Sequence, residues 1–215
     1  MKKLTKIAIL SCMMALTCIS TEAKKPTGAY FGARASLDMT TSTEITDLTG
    51  WGPGFSVGLA YHAPFARQFY FEPSLMFNYN TIDFEGQHGD KYSKRTYDGY
   101  IKGLGLNIPL NFGWNFFSAG PVGLSLYTGP HIFILFSNKL EATEIYKEYA
   151  PTKLKSDLSN PGMEIGWTLG VGADFFKRWH LQIDGTYSFS HMCAIEMTRS
   201  HIRRAGISVG IGYNF

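Results

Sequence analysis

The chain has 215 residues, enough for a single domain; 45% are hydrophobic and 15% aromatic, but only 17% are charged, against about 25% in an ordinary globular protein. A net charge of +3 gives no basic surface for nucleic acid, so nucleic-acid binding is excluded. Beyond residue 23 no apolar run approaches the roughly 18 residues of a membrane helix, and 23 glycines favour a β-protein with many narrow positions.

Residues 1–23 have the layout of a secretory signal peptide. Lys2, Lys3 and Lys6 precede the apolar segment from Ile7 to Ile19, and Thr21-Glu22-Ala23 supplies small residues for cleavage. Removal of this leader leaves a net charge of +1, so electrostatics does not choose the partner. Cys12 and Cys18 leave with it, and the remaining Cys193 has no partner for an internal disulfide. Thr17 is larger than the residues that precede an acylated cysteine, so lipid anchoring at Cys18 is not expected. Residues 24–28 are a short N-terminal segment, and 29–215 form the domain proper.

Eight segments then alternate with a period of two, the signature of strands with two unlike faces. Ala29–Met39 sets Phe31, Ala33, Ala35 and Leu37 against Arg34, Ser36 and Asp38. Gly54–Ala63 sets Phe55, Val57, Leu59 and Tyr61 against Ser56, Gly58 and His62. Phe69–Thr81 carries Phe71, Leu75, Phe77 and Tyr79 opposite Glu72, Ser74, Asn78 and Asn80. Tyr100–Phe112 carries Leu104, Leu106, Ile108 and Leu110 opposite Gly103, Gly105, Asn107 and Asn111. Val122–Phe136 turns Leu124, Leu126, Ile132 and Ile134 one way and Ser125, Tyr127, Gly129 and His131 the other. Met163–Phe175 opposes Ile165, Trp167, Leu169 and Val171 to Glu164, Gly166, Thr168 and Asp174. Trp179–Phe189 opposes Leu181, Ile183 and Tyr187 to His180, Gln182, Asp184 and Ser188. The last segment, Ile202–Phe215, ends with Ile207, Val209, Ile211, Tyr213 and Phe215 on one face and Gly206, Ser208, Gly210, Gly212 and Asn214 on the other.

Length and spacing give these strands a purpose. About 11 residues at ~3.3 Å each extend ~36 Å, and a tilt of ~45° reduces this to ~26 Å, close to the ~25 Å apolar band of an outer-membrane barrel. The gaps 40–53, 82–99, 137–162 and 190–201 are long, whereas 64–68, 113–121 and 176–178 are shorter, and the two kinds alternate. Long loops outside the cell and tight turns inside are the outer-membrane pattern, which places both termini in the periplasm. In the longest loop, Asn138 and Glu141 stand at capping-box spacing, so a short helix and an extension of the hairpin are both open there.

A soluble sandwich or lipocalin-like barrel also alternates, but its large side chains must fit inside. Here the large face would overfill an eight-stranded barrel, while the small and polar face fits that space. Aromatics also gather at both strand ends, as at two lipid–water interfaces: Tyr61, Phe69, Phe71, Phe112, Phe175, Trp179, Tyr213 and Phe215 at one, Tyr79, Tyr100, Phe136 and Phe189 at the other. The expected fold is all-β, an eight-stranded antiparallel up-and-down transmembrane β-barrel.

The ending Ser208-x-Gly210-x-x-Tyr213-x-Phe215 resembles the C-terminal signal by which outer-membrane barrels are recognised for insertion. Leu106-Asn107-Ile108-Pro109-Leu110, Tyr127-Thr128-Gly129-Pro130, Gly170-Val171-Gly172-Ala173-Asp174-Phe175 and Asp184-Gly185-Thr186-Tyr187 resemble the PorT-like outer-membrane β-barrel family of the Bacteroidetes. The resemblance implies a secreted, membrane-inserted barrel of eight strands. The founding member is associated with export of secreted proteases; the family as a whole implies no single activity.

Arg34, Asp38, His62, Glu72, His131, Glu164, Asp174, His180, Asp184 and Arg204 are expected to face the lumen, either as a plug of ion pairs and hydrogen bonds or as a path for protons or small ions. The plug is the expected arrangement, because eight strands leave no wide channel. A lipid hydrolase at the rim is the alternative catalytic reading, with Ser190, His191 and either Glu196 or His201. Ser190 and His191 point to opposite faces while they stay in a strand, which opposes direct pairing. The histidines have no metal-ligand spacing, and no cofactor motif is present. The partners expected are outer-membrane lipid and lipopolysaccharide, the barrel-assembly machinery during biogenesis, and a protein meeting loops 82–99 and 138–161. The role expected is structural or surface-interacting and non-catalytic, with membership of a secretion or uptake assembly as the alternative.

Overall fold

The computed structural model describes residues 28–43, 50–88, 95–146, 152–157, 162–176, 178–190, 193–195 and 200–215. Residues 1–23, expected as a leader, lie outside the described residues, as do residues 24–27. The described chain is all strand: β1 (Tyr30–Ser42), β2 (Gly52–Pro64), β3 (Phe69–His88), β4 (Arg95–Ala119), β5 (Val122–Tyr146), β6 (Thr152–Asp157), β7 (Met163–Phe175), β8 (Trp179–Ser188), β9 (Cys193–Ile195), β10 (Ser200–Ile202) and β11 (Arg204–Asn214). No described helix is long and apolar enough to cross a membrane.

Eight of these strands close on themselves in the order β1-β2-β3-β4-β5-β7-β8-β11, every neighbour antiparallel. Closure is made by β1 on β11, from Gly32 opposite Asn214 to Ser42 opposite Arg204. Closure leaves no edge strand in the wall. β6 adds to β5 beyond the end of β7, and β9 pairs with β10 as a separate small hairpin.

The eight alternating segments correspond to the eight wall strands, but β3, β4 and β5 exceed their expected bounds. They hold 20, 25 and 25 residues, against 13, 13, 13, 10 and 11 in the other five. Segment 113–121, expected as a turn, is mostly strand; only Gly120 and Pro121 separate Ala119 from its partner Val122. Gly120 has φ +58°, and proline cannot adopt positive φ, so this is the two-residue hairpin turn that wants glycine first. Of the two arrangements open at Asn138–Glu141, the strand continues, to Tyr146.

Two bulges explain where the alternation slips. Leu104 and Gly105 face Ser137 and Leu135, so Phe136 is an extra residue on β5. Asn115 and Phe117 face Ser125 and Leu124, so Phe116 is extra on β4. Past Phe136 the inward parity changes, and Asn138 and Leu140 are buried.

The large face looks outward. Phe31, Leu37, Leu59, Leu169, Val209 and Phe215 are each more than half exposed. At the tight-turn end the outward aromatics touch one another around the wall: Phe31 with Tyr61 (4.9 Å), Phe71 with Phe112 (4.9 Å), Phe69 with Trp114 (6.5 Å) and Trp179 with Tyr213 (5.3 Å). At the long-loop end, Lys102 lies 4.6 Å over the Tyr100 ring and donates to Glu141 at 2.8 Å, which marks where the apolar band stops.

Candidate functional site

Inward-facing positions build a layered lumen. At the tight-turn end, Arg34 donates to Glu72 at 3.2 Å and to Asn214 at 2.8 Å. His62 Nδ1 is 2.9 Å from the other Glu72 oxygen, and its ring is sandwiched between Tyr30 (4.5 Å) and Tyr70 (4.3 Å). The Tyr70 ring lies where a side chain at Gly113 would stand, so that glycine makes room for it. Asp174 and His180 form a second pair at 3.0 Å.

Above this layer, β1, β11 and β8 bring Asp38, Ser208 and Asp184 into one row. Asp38 accepts from Ser36, Ser56 and Asn78 at 2.8, 2.5 and 3.0 Å. Asp184 accepts from Tyr127, Gln182 and Ser208 at 3.1, 3.2 and 2.6 Å. The donors named are all neutral, so these two carboxylates are held by hydrogen bonds rather than by ion pairs. A cavity of about 100 Å³ lies here, room for a few ordered waters.

At the long-loop end, Glu164 is fully shut from solvent and receives two nitrogens of Arg204, each at 2.8 Å, together with the Ser188 hydroxyl at 3.0 Å. The Arg204 guanidinium also lies 3.8 Å over the Phe133 ring. His131 Nδ1 meets the Thr168 hydroxyl at 3.1 Å. On the β3–β5 side the lumen is capped by apolar residues: Ile82 faces Ile101, Ile101 faces Leu140, and Phe133 and Leu135 sit below, all at most 4% exposed.

The structure places Arg34, His62 and Glu72 in one inward cluster, Asp174 and His180 in a second, Asp38 and Asp184 in a third, and His131, Glu164 and Arg204 towards the other end, rather than in one continuous chain. The apolar cap is the part that sequence reasoning missed. Phe133 and Leu135 continue the inward parity of Tyr127 and His131, which could have found them; Leu140 is hidden behind the Phe136 bulge. For the hydrolase alternative, the Ser190 hydroxyl accepts the Ile165 backbone N–H at 2.7 Å. His191 and Glu196 lie outside the described residues, as does the side chain of His201. Among the described residues no group of three or more His, Cys, Asp or Glu could hold a metal.

A closed wall of eight strands, apolar outside and hydrogen-bonded within, defines a membrane-spanning β-barrel. The chain belongs to the family of the outer membrane protein beta-barrel domain, whose model matches residues 26–194, and is thus an outer-membrane protein. No curated protein matches the sequence. Among solved structures it is similar to Neisserial surface protein A (15% identity, 87% of this chain and 99% of that one, TM-score 0.41). It is also similar to Ail, the attachment invasion locus protein of Yersinia pestis, in complex with the heparin analogue sucrose octasulfate (12%, 88% and 100%, TM-score 0.40). A third is the outer membrane protein OprG of Pseudomonas aeruginosa (10%, 87% and 96%, TM-score 0.46).

Proposed function

We propose that this barrel is a non-catalytic anchor whose work is done at the cell surface, on the sheet that β3, β4, β5 and β6 raise beyond the membrane. One observation carries this reading. β5 runs 12 residues past Ile134, its last partner to β7, which is on the order of 40 Å of strand. β3 and β4 follow it in register as far as His88 opposite Arg95, and β6 widens the sheet. A barrel that served only to fill lipid has no use for strands of that length.

In this reading the long-loop end faces outward, both chain ends face the periplasm, and residues 1–23 are a cleaved leader. The alternation of long and tight connections supports that orientation. The lumen clusters act as a plug. Lipid and lipopolysaccharide surround the wall, and Ser208, Gly210, Tyr213 and Phe215 present the insertion signal to the assembly machinery. A secretion role of the PorT-like kind rests on four short segments of sequence and on no feature of the lumen or rim, so it is not the function proposed.

Replacing residues 84–99 with Asn-Gly joins the register partners Asp83 and Tyr100 by a two-residue turn. The trimmed barrel is expected to keep heat-modifiable migration on gels while losing the proteins captured by the full chain from mildly solubilised outer membranes. Unchanged capture by the trimmed barrel overturns the surface role. A tag within 138–161 is expected to be cut by protease added to intact cells; a tag cut only after lysis overturns the orientation.

A further inference from the structure

Three prolines interrupt the barrel wall along one line. Pro73 on β3, Pro109 on β4 and Pro130 on β5 each lack the N–H that a strand residue gives its neighbour. The β2–β3 ladder pairs Ala60 with Ser74 and resumes at Ala63 with Phe71, which drops Tyr61–Pro73 and His62–Glu72. The β3–β4 ladder pairs Pro73 with Leu110 and resumes at Met76 with Asn107, which drops Ser74–Pro109 and Leu75–Ile108. The β4–β5 ladder pairs Pro109 with His131 and resumes at Phe112 with Thr128, which drops Leu110–Pro130 and Asn111–Gly129. No residue is gained or lost across these gaps. The other five ladders of the wall run unbroken.

Each proline thus withholds a donor from the strand before it, at three consecutive interfaces. The lumen face behind the gaps is polar. Glu72, Ser74, Asn107, Asn111 and His131 line the cavity there, and the side-chain oxygens of Asn107 and Asn111 are buried without a hydrogen-bond partner. In front lies hydrocarbon, met by Leu75 (51% exposed) and Phe112 (53% exposed). An unmet polar group in hydrocarbon is costly, and water relieves it. This stretch therefore has the fewest bonds to break on parting and the most polar groups for water to reach.

We infer that the barrel opens sideways between β2 and β5, along Pro73, Pro109 and Pro130, and that this opening joins the lumen cavity to the bilayer. The species admitted are water and small polar groups, because the cavity measures about 100 Å³ and its walls, though they include Met39, Met76 and Phe133, carry carboxylates, carboxamides, hydroxyls, His131, His180, Arg34 and Arg204.

Hydrogen exchange read by mass spectrometry, with the full barrel in lipid nanodiscs, tests this. Amides in 58–62, 72–76, 106–112 and 128–132 are expected to exchange about tenfold faster than those of β7, β8 and β11. Equal protection overturns the proposal. The second arm uses Leu75→Cys with Ile108→Cys in a Cys193→Ser background. These two outward residues face each other inside the gap, as a non-hydrogen-bonded pair that a disulfide can span. Oxidation is expected to bring the fast amides down to the level of the remaining wall, and reduction to restore them. Fast exchange that persists in the locked form shows a wall short of bonds but shut, and overturns the lateral opening.

Discussion

Glu164 and Arg204 show what a buried charge requires at the scale of one residue. The carboxylate is wholly enclosed and the guanidinium 9% exposed, so neither has water to fall back on. Glu164→Gln leaves Arg204 buried beside a neutral amide, and a loss of about 3–5 kcal/mol is expected in urea unfolding from lipid vesicles. Adding Arg204→Met is expected to recover much of that loss, because the unpaired charge goes with it. Gly113 is the complementary case. A methyl group there meets the Tyr70 ring, so Gly113→Ala is expected to cost about 1–3 kcal/mol in the same assay. The parity of each strand placed Glu164, Arg34 and Asp184 inside from sequence alone, because one polar residue between two apolar ones has only one way to point. Which inward residues meet across the lumen was not legible, since that depends on stagger between strands distant in sequence.

At the scale of the element, β11 shows why the alternation carried so much. Ile207, Val209, Ile211 and Tyr213 face lipid while Gly206, Gly210 and Gly212 let β1 and β8 side chains fill the inside. Val209 stands mid-strand and 58% exposed, so Val209→Arg is expected to cost about 2–4 kcal/mol, read as a lower folded fraction in vesicles. Strand existence was legible because the two faces meet opposite solvents. The outer limits of β3, β4 and β5 were not, since beyond Lys102 lipid no longer selects one face and the contrast fades. The lower end of β4 was obscured differently. The bulge at Phe116 puts it and Phe117 on the outside together, each 47% exposed, which reads as a break in the rhythm.

At the scale of the whole molecule, a continuous apolar exterior with a filled interior makes definite demands on its surroundings. The purified barrel is expected to stay monodisperse in detergent and to aggregate when the detergent is withdrawn, as size-exclusion chromatography would show. Its lumen is closed at one end by Arg34, Glu72 and the Tyr30–His62–Tyr70 stack, and capped on one side at the other by Ile82, Ile101 and Leu140. Planar bilayers carrying it are expected to show no steady porin-sized current; such a current would overturn the reading of the lumen as a plug.

The two-residue turn at Gly120–Pro121 bears on how the barrel comes into being. It joins the two longest strands with almost no chain to close, so β4 and β5 can zip together early and locally. The β1–β11 seam must instead bring together residues such as Gly32 and Asn214 from opposite ends of the domain, and is expected to form late. Assembly is therefore expected to proceed outward from the middle of the chain. Gly120→Val, which resists positive φ, is expected to slow refolding into vesicles by more than it speeds unfolding, placing this corner in the nucleus of the reaction.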